Sequence, residues 1–180
     1  MFSVKELRAL ASRLSLDEFR KQLGPFALVQ APPDQGPART EAMGSDRTVM
    51  ARADQVSRGA LALLFAFEDL IVATLPPVEL VTELVVGRQA DCDLRMDDPS
   101  VSKRHASLRW DDPTGQCTLQ DLGSTNGTFL NASSIQQRAV QLSDGDIVSF
   151  GEAQFWFFRT DSLFSRLGAA DSRSLRSRSG

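Results

Sequence analysis

The chain has 180 residues, 42% of them hydrophobic and 24% charged, the make-up of a soluble globular protein large enough for one sizeable core. Its net charge of −3 excludes a general attraction to nucleic acid or to an anionic membrane, so any anion site has to be local. Two cysteines, Cys92 and Cys117, and the lone His105 are too few for a disulfide framework and lack metal-ligand spacing, so no metal and no cofactor are expected.

At the N-terminus, Lys5, Glu6, Arg8 and Arg13 interrupt any signal core. No apolar run approaches the roughly 20 residues of a membrane helix, so a cytoplasmic protein without a membrane partner is expected. Val4, Leu7, Leu10, Ala11 and Leu14 recur at helical spacing, and Ser3 with Glu6 forms a capping box. A second box, Ser15 with Glu18, opens a short helix carrying Leu16, Phe19 and Leu23, which Gly24-Pro25 ends. Phe26 to Val29 suits a brief strand. Residues 1–30 are thus predicted as a helical extension, too small for a core of its own, whose apolar stripe packs on the rest of the molecule.

Residues 31–58 lose the apolar periodicity and gain Pro32-Pro33, Gly36-Pro37 and Gly44-Ser45, the composition of a flexible linker. From residue 60 the pattern is β throughout. Strands are predicted at 60–67, 70–75, 80–86, 93–96, 105–110, 116–122, 128–130, 147–150 and 154–159. Turn chemistry such as Asp97-Asp98-Pro99 and Asp144-Gly145 separates them. Many short strands without intervening helices indicate a sandwich or barrel. Alternation places Cys117 on a buried face, as an inert core residue. After Arg159, residues 161–167 suit a short helix stopped at Gly168, and residues 171–180, mostly Ser and Arg, suit a disordered tail.

Gly123-Ser124-Thr125-Asn126-Gly127 is a loop of small, flexible and hydroxyl-bearing residues whose Asn-Gly step predicts a tight strand-to-strand turn. Its backbone N–H groups, hydroxyls and carboxamide are also the equipment of an anion-binding nest. Ahead of it come Gly87-Arg88, after an apolar strand, and Ser102-Lys103-Arg104-His105, before another. Loops gather at the ends of a sandwich, so these three segments can converge. Arg88 offers a planar, permanently charged fork suited to phosphate oxygens. Ser102 and Thr125 offer hydroxyls, and Asn126 an amide that both donates and accepts. No nucleophile has a base and an acidic orienter beside it, so the set suits holding a phosphate and not breaking a bond; no catalytic residue is assigned.

Gly87-Arg88, Ser102-x-x-His105, the run Asp121 to Asn131 (D-L-G-S-T-N-G-T-F-L-N) and the run Leu142 to Gly151 together resemble the forkhead-associated (FHA) domain over about residues 59–160. The resemblance implies a mainly β fold, a sandwich of two antiparallel or mixed sheets with about eleven strands, here with a short N-terminal helical extension. It also implies phosphothreonine-peptide binding by loops at one end. Carried over, Arg88 and Ser102 contact the phosphate, Thr125 the phosphate or adjacent peptide, and Asn126 the peptide backbone, with Ser124 and Lys103 also in the phosphopeptide-binding set. Lys103 stands where many family members carry Asn, exchanging a hydrogen-bonding group for a charge. Gly87, His105 and Gly127 fall on architectural positions.

The resemblance implies an adaptor in Ser/Thr kinase signalling whose partner is a phosphothreonine-containing protein, a kinase or its substrate, with no nucleic acid involved. Thr40 and Thr48 in the linker are candidate phosphosites able to fold back into the same pocket, since an extended chain spans about 3.4 Å per residue. The competing reading is a phosphate-independent scaffold that uses the sandwich and the N-terminal helices as an interface. Nothing in the sequence resembles an enzyme's phosphate loop or activated nucleophile.

Overall fold

A computed structural model describes residues 2–30, 71–74 and 83–176, with side chains described as far as residue 168. The predicted linker, its Thr40 and Thr48, and the predicted strand at 60–67 lie outside the described residues. Two short helices come early in the chain, α1 (Val4–Ala11) and α2 (Leu16–Leu23), and a third, α3 (Thr160–Arg176), near its end. Both predicted capping boxes form: the Ser3 and Ser15 side chains accept from the backbone N–H of Glu6 and Glu18, whose carboxylates reach back to the cap N–H at 2.8 and 2.9 Å.

Among the described residues the strands form two sheets. The first contains, in spatial order, β1 (Phe2–Ser3), β3 (Ile71–Thr74), β2 (Phe26–Gln30), β12 (Ala153–Arg159), β11 (Ile147–Phe150), β8 (Thr128–Leu130) and β9 (Ser133–Ser134), all antiparallel. The second runs β10 (Val140–Leu142), β7 (Gln116–Asp121), β6 (Ala106–Asp111), β4 (Glu83–Gly87) and β5 (Leu94–Arg95). It is mixed, since β4 and β5 pair in parallel.

Side-chain alternation divides the interior into two cores. Phe26, Leu28, Phe155 and Phe157 point from the first sheet into the sandwich and meet Leu84, Val86, Leu108, Cys117 and Leu119 from the second. The intervening residues Ala27, Val29, Trp156 and Phe158 point the other way, onto Val4 and Leu7 of α1, Phe19 and Leu23 of α2, and Leu163 and Leu167 of α3. Two-sided burial explains the unbroken apolar runs of β2 and β12. Cys117 lies deep in the sandwich, where burial pushes its thiol up to about 12, well outside the reactive range.

Three predictions need correction. Residues 1–30 are no appendage: β2 pairs with β12 over five residues and with β3 on its other side, so this segment supplies an inner strand and the domain extends beyond residues 59–160. The C-terminal helix does not stop at Gly168 but runs on to Arg176. The cost of one helical glycine, about 1 kcal/mol, is opposed by anchors at the other end of α3. The Thr160 hydroxyl donates to the Gly24 carbonyl at 2.6 Å, and Arg166 bonds Asp144 at 2.7 Å. Finally, the tight strand-to-strand turn expected at 123–127 joins strands that do not pair, since it carries the chain from β7 in one sheet to β8 in the other.

Candidate functional site

Three connections meet at one end of the sandwich. Gly87 ends β4, and its N–H-bearing neighbour Arg88 donates its backbone N–H to the Ser102 carbonyl at 3.0 Å. Gln89 N–H and the Cys92 thiol donate to the Lys103 carbonyl at 3.1 and 3.2 Å. A Cβ added to Gly87 would stand 2.3 Å from that carbonyl oxygen, so the two segments can lie this close only over a glycine. Lys103 therefore shapes the site through its backbone, and its side chain is exposed.

The 123–127 loop closes against the same segment. Thr125 N–H donates to Ser102 Oγ at 2.9 Å, and the two hydroxyl oxygens are 3.4 Å apart. Asn126 Nδ2 donates to the Ser100 carbonyl at 2.8 Å, leaving its second N–H and its Oδ1 uncommitted among the described residues. His105 is wholly buried and joins both loops: Nδ1 accepts from Ser102 N–H at 3.0 Å while Nε2 lies 3.1 Å from the Gly127 carbonyl. An Nδ1 that accepts and an Nε2 that donates define a neutral imidazole, and burial holds its pKa below the ordinary histidine value.

Asp121 sets the inner shape of the loop. Its Oδ2 accepts from the N–H groups of Gly123 and Ser124 at 2.9 and 3.0 Å, and its Oδ1 from the hydroxyls of Ser124 and Thr128 at 2.6 and 2.5 Å. Burial raises this carboxyl's pKa, but the four donors together outweigh it and leave it below the usual carboxylate value. The single hydroxyl proton of Ser124 is thus spent inside the protein, which makes Ser124 a loop-shaping residue ahead of a phosphate donor. Arg88 is exposed and, among the described residues, makes no side-chain hydrogen bond or ion pair.

A family model described as "FHA domain" matches residues 84–151, the stretch from β4 to the end of β11 that carries all three connections. This stretch of the chain is an FHA domain. The FHA domain FhaA of Mycobacterium tuberculosis is 42% identical over 71 residues, covering 39% of this chain and 12% of FhaA. The glycogen accumulation regulator GarA of Mycolicibacterium smegmatis is 37% identical over 71 residues, again 39% of this chain and 42% of GarA. The chain therefore spans less than half the length of these relatives. A solved structure from work on phosphothreonine-dependent FHA domain interactions is 33% identical, covers 49% of this chain and 83% of its own, and superposes with a TM-score of 0.42.

The FHA match leaves β1, β2, β3, β12 and the three described helices outside it, although β2, β3 and β12 belong to the first sheet. Within it, the structure brings Arg88, Ser102, Lys103, Thr125 and Asn126 to one rim, with Gly87, His105, Gly127 and Ser124 beneath. Two supporting residues have no assigned role in the sequence analysis, Asp121 and Ser100. An Asp two and three residues before Gly123 and Ser124 fits a side chain that bonds its own loop, which is a legible signal. Ser100 carries none, because its partner Asn126 is 26 positions away.

Proposed function

We propose that this chain binds phosphothreonine peptides at the rim formed by Arg88, Ser102, Thr125 and Asn126, and acts as a non-enzymatic adaptor in Ser/Thr kinase signalling. The observation that carries the proposal is the interlock of Ser102 with Thr125 beside an Arg88 whose side chain has no partner among the described residues. It leaves a guanidinium, two neighbouring hydroxyls 3.4 Å apart, the Ser102 oxygen also accepting the Thr125 N–H at 2.9 Å, and a carboxamide bonded through one N–H to Ser100. A phosphothreonine brings a charge of about −1.5 to −2 and three acceptor oxygens, complementary to those donors. At about 1.5–3 kcal/mol for each charge-assisted hydrogen bond, less the cost of association, a few such bonds give micromolar affinity. An unphosphorylated threonine forfeits most of it, so binding answers to a kinase.

The partner in this reading is a kinase or kinase substrate that carries the phosphothreonine. Pull-downs with and without phosphatase treatment separate it from a phosphate-independent scaffold, for which treatment changes nothing. Arg88→Ala is expected to weaken phosphothreonine-peptide binding at least tenfold with the thermal unfolding midpoint unchanged, because its side chain has no structural partner among the described residues. Undiminished binding by this variant overturns the proposal.

A further inference from the structure

The turn between β11 and β12, Gly151-Glu152, belongs to the same rim although it lies far along the chain. Gly151 N–H donates to the Gly127 carbonyl at 3.0 Å, directly after the 123–126 run. Glu152 N–H donates to Ser100 Oγ at 2.9 Å, and the Ser100 carbonyl is the acceptor for Asn126. A Cβ on Gly151 would come within 2.5 Å of that carbonyl oxygen, so the turn is seated as closely as a glycine allows. Asp98 accepts both the N–H and the hydroxyl of Ser100, at 2.8 and 2.7 Å, and so fixes the hub from below. The Glu152 backbone is thereby bonded to Ser100, the same residue that anchors Asn126. Its side chain is exposed and, among the described residues, has no hydrogen bond or ion pair.

An unpaired carboxylate at the edge of a dianion site works against the ligand's phosphate unless the ligand supplies a compensating cation. We infer that Glu152 is a specificity-determining residue, which selects peptides carrying Lys or Arg, and rejects Asp or Glu, on the flank of the phosphothreonine that Asn126 holds. This rests on the phosphothreonine reading above. The cations Arg88 and Lys103 enter the rim from the β4–β5 and β5–β6 connections, whereas Glu152 enters from the β11–β12 turn. Positive and negative charge thus come to the rim on different connections, Arg88 and Lys103 on two of them and Glu152 on the turn that shares Ser100 with Asn126. Such an arrangement discriminates by repelling the wrong flank as much as by attracting the right one.

The test uses the full chain and a set of phosphothreonine peptides with alanine flanks, into which Lys or Glu is placed singly at each of three positions before and after the phosphothreonine. Expected is a preference for Lys over Glu of about two- to five-fold at low ionic strength, confined to one flank and shrinking with added salt. Glu152→Gln should flatten that preference and Glu152→Lys should invert it, and Glu152→Gln should bind the all-alanine phosphopeptide more tightly than the unaltered protein does, since its carboxylate no longer opposes the phosphate. Equal binding of the Lys and Glu peptides by the unaltered protein, or a preference unchanged in Glu152→Gln, overturns the inference while leaving phosphothreonine binding in place. Absence of binding by every phosphopeptide overturns both.

Discussion

The two ends of this molecule's architecture are held by different physics. On the helical side, Trp156 and Phe158 sink among side chains from α1, α2 and α3, and what fixes the geometry is exclusion of water from a closely filled interior. At the rim, directional hydrogen bonds do that work: Asp121 gathers four donors, His105 bridges Ser102 and Gly127, and Ser100 links Asn126 to Glu152. Packing is tolerant of small shifts in direction, whereas a phosphate demands donors at set positions. Hydrogen bonds made beneath the rim let the groups above it stay exposed yet ordered. The contrast explains how separate connections present Arg88, Thr125 and Asn126 to solvent without a core behind each of them.

The strongest way to break the comparison is to empty the helical side. Phe158→Ala should cost about 3–5 kcal/mol of folding stability, read from denaturant titration. The molecules that remain folded should bind phosphothreonine peptide with unchanged affinity. Should affinity fall in proportion to stability, the two regions are not separable as described. Asp121→Ala strikes the other region. It strands the donors of Gly123, Ser124 and Thr128, of which only the Thr128 hydroxyl belongs to a buried residue, so at about 1–3 kcal/mol for one unsatisfied buried group it destabilises less than the Phe158 change. Its effect on peptide affinity should nonetheless be much the larger, because the loop that carries Thr125 and Asn126 loses its shape.

A gentler probe is pH. His105 is the single histidine of the chain, and burial lowers its pKa from the ordinary 6.5. Unfolded chains then take up a proton near pH 6.5 that the folded state refuses. The stability this neutral imidazole contributes is complete above that pH and declines as the pH falls through 6.5 toward the lowered folded value. Denaturant titrations at pH 7.5 and pH 5 should show the loss in the unaltered protein and a smaller one in His105→Gln. An equal loss in both would assign the pH dependence to other groups.

Much of this was legible in the sequence, and the exceptions share a cause. The two capping boxes, the helical spacing of Val4, Leu7, Phe19 and Leu23, and the turn chemistry between strands are local signals, read within a few residues. The Gly-Arg, Ser-x-x-His and Asp-to-Asn motifs carry the rim residues because each lies on one short connection. What escaped depends on partners far along the chain. Phe26–Gln30 reads as an extension until β12 is seen to pair with it, and nothing near residue 26 announces a partner near residue 157. The edge strands Ser133–Ser134 and Val140–Leu142 are too short and too exposed to show alternation. Ser100 and Glu152, 52 positions apart, gain their meaning only from each other and from Asn126.

The central claim is that exposed groups from three hydrogen-bonded connections, and not the helical layer, receive a phosphothreonine. Backbone amide chemical shifts recorded during titration with a phosphothreonine peptide, and then with its unphosphorylated twin, test it most directly. The account predicts shifts at Arg88, Ser102, Thr125, Asn126 and Glu152 with the phosphopeptide only, and silence across α1, α2 and α3. Matching shifts from both peptides, or shifts centred on the helices, would contradict it.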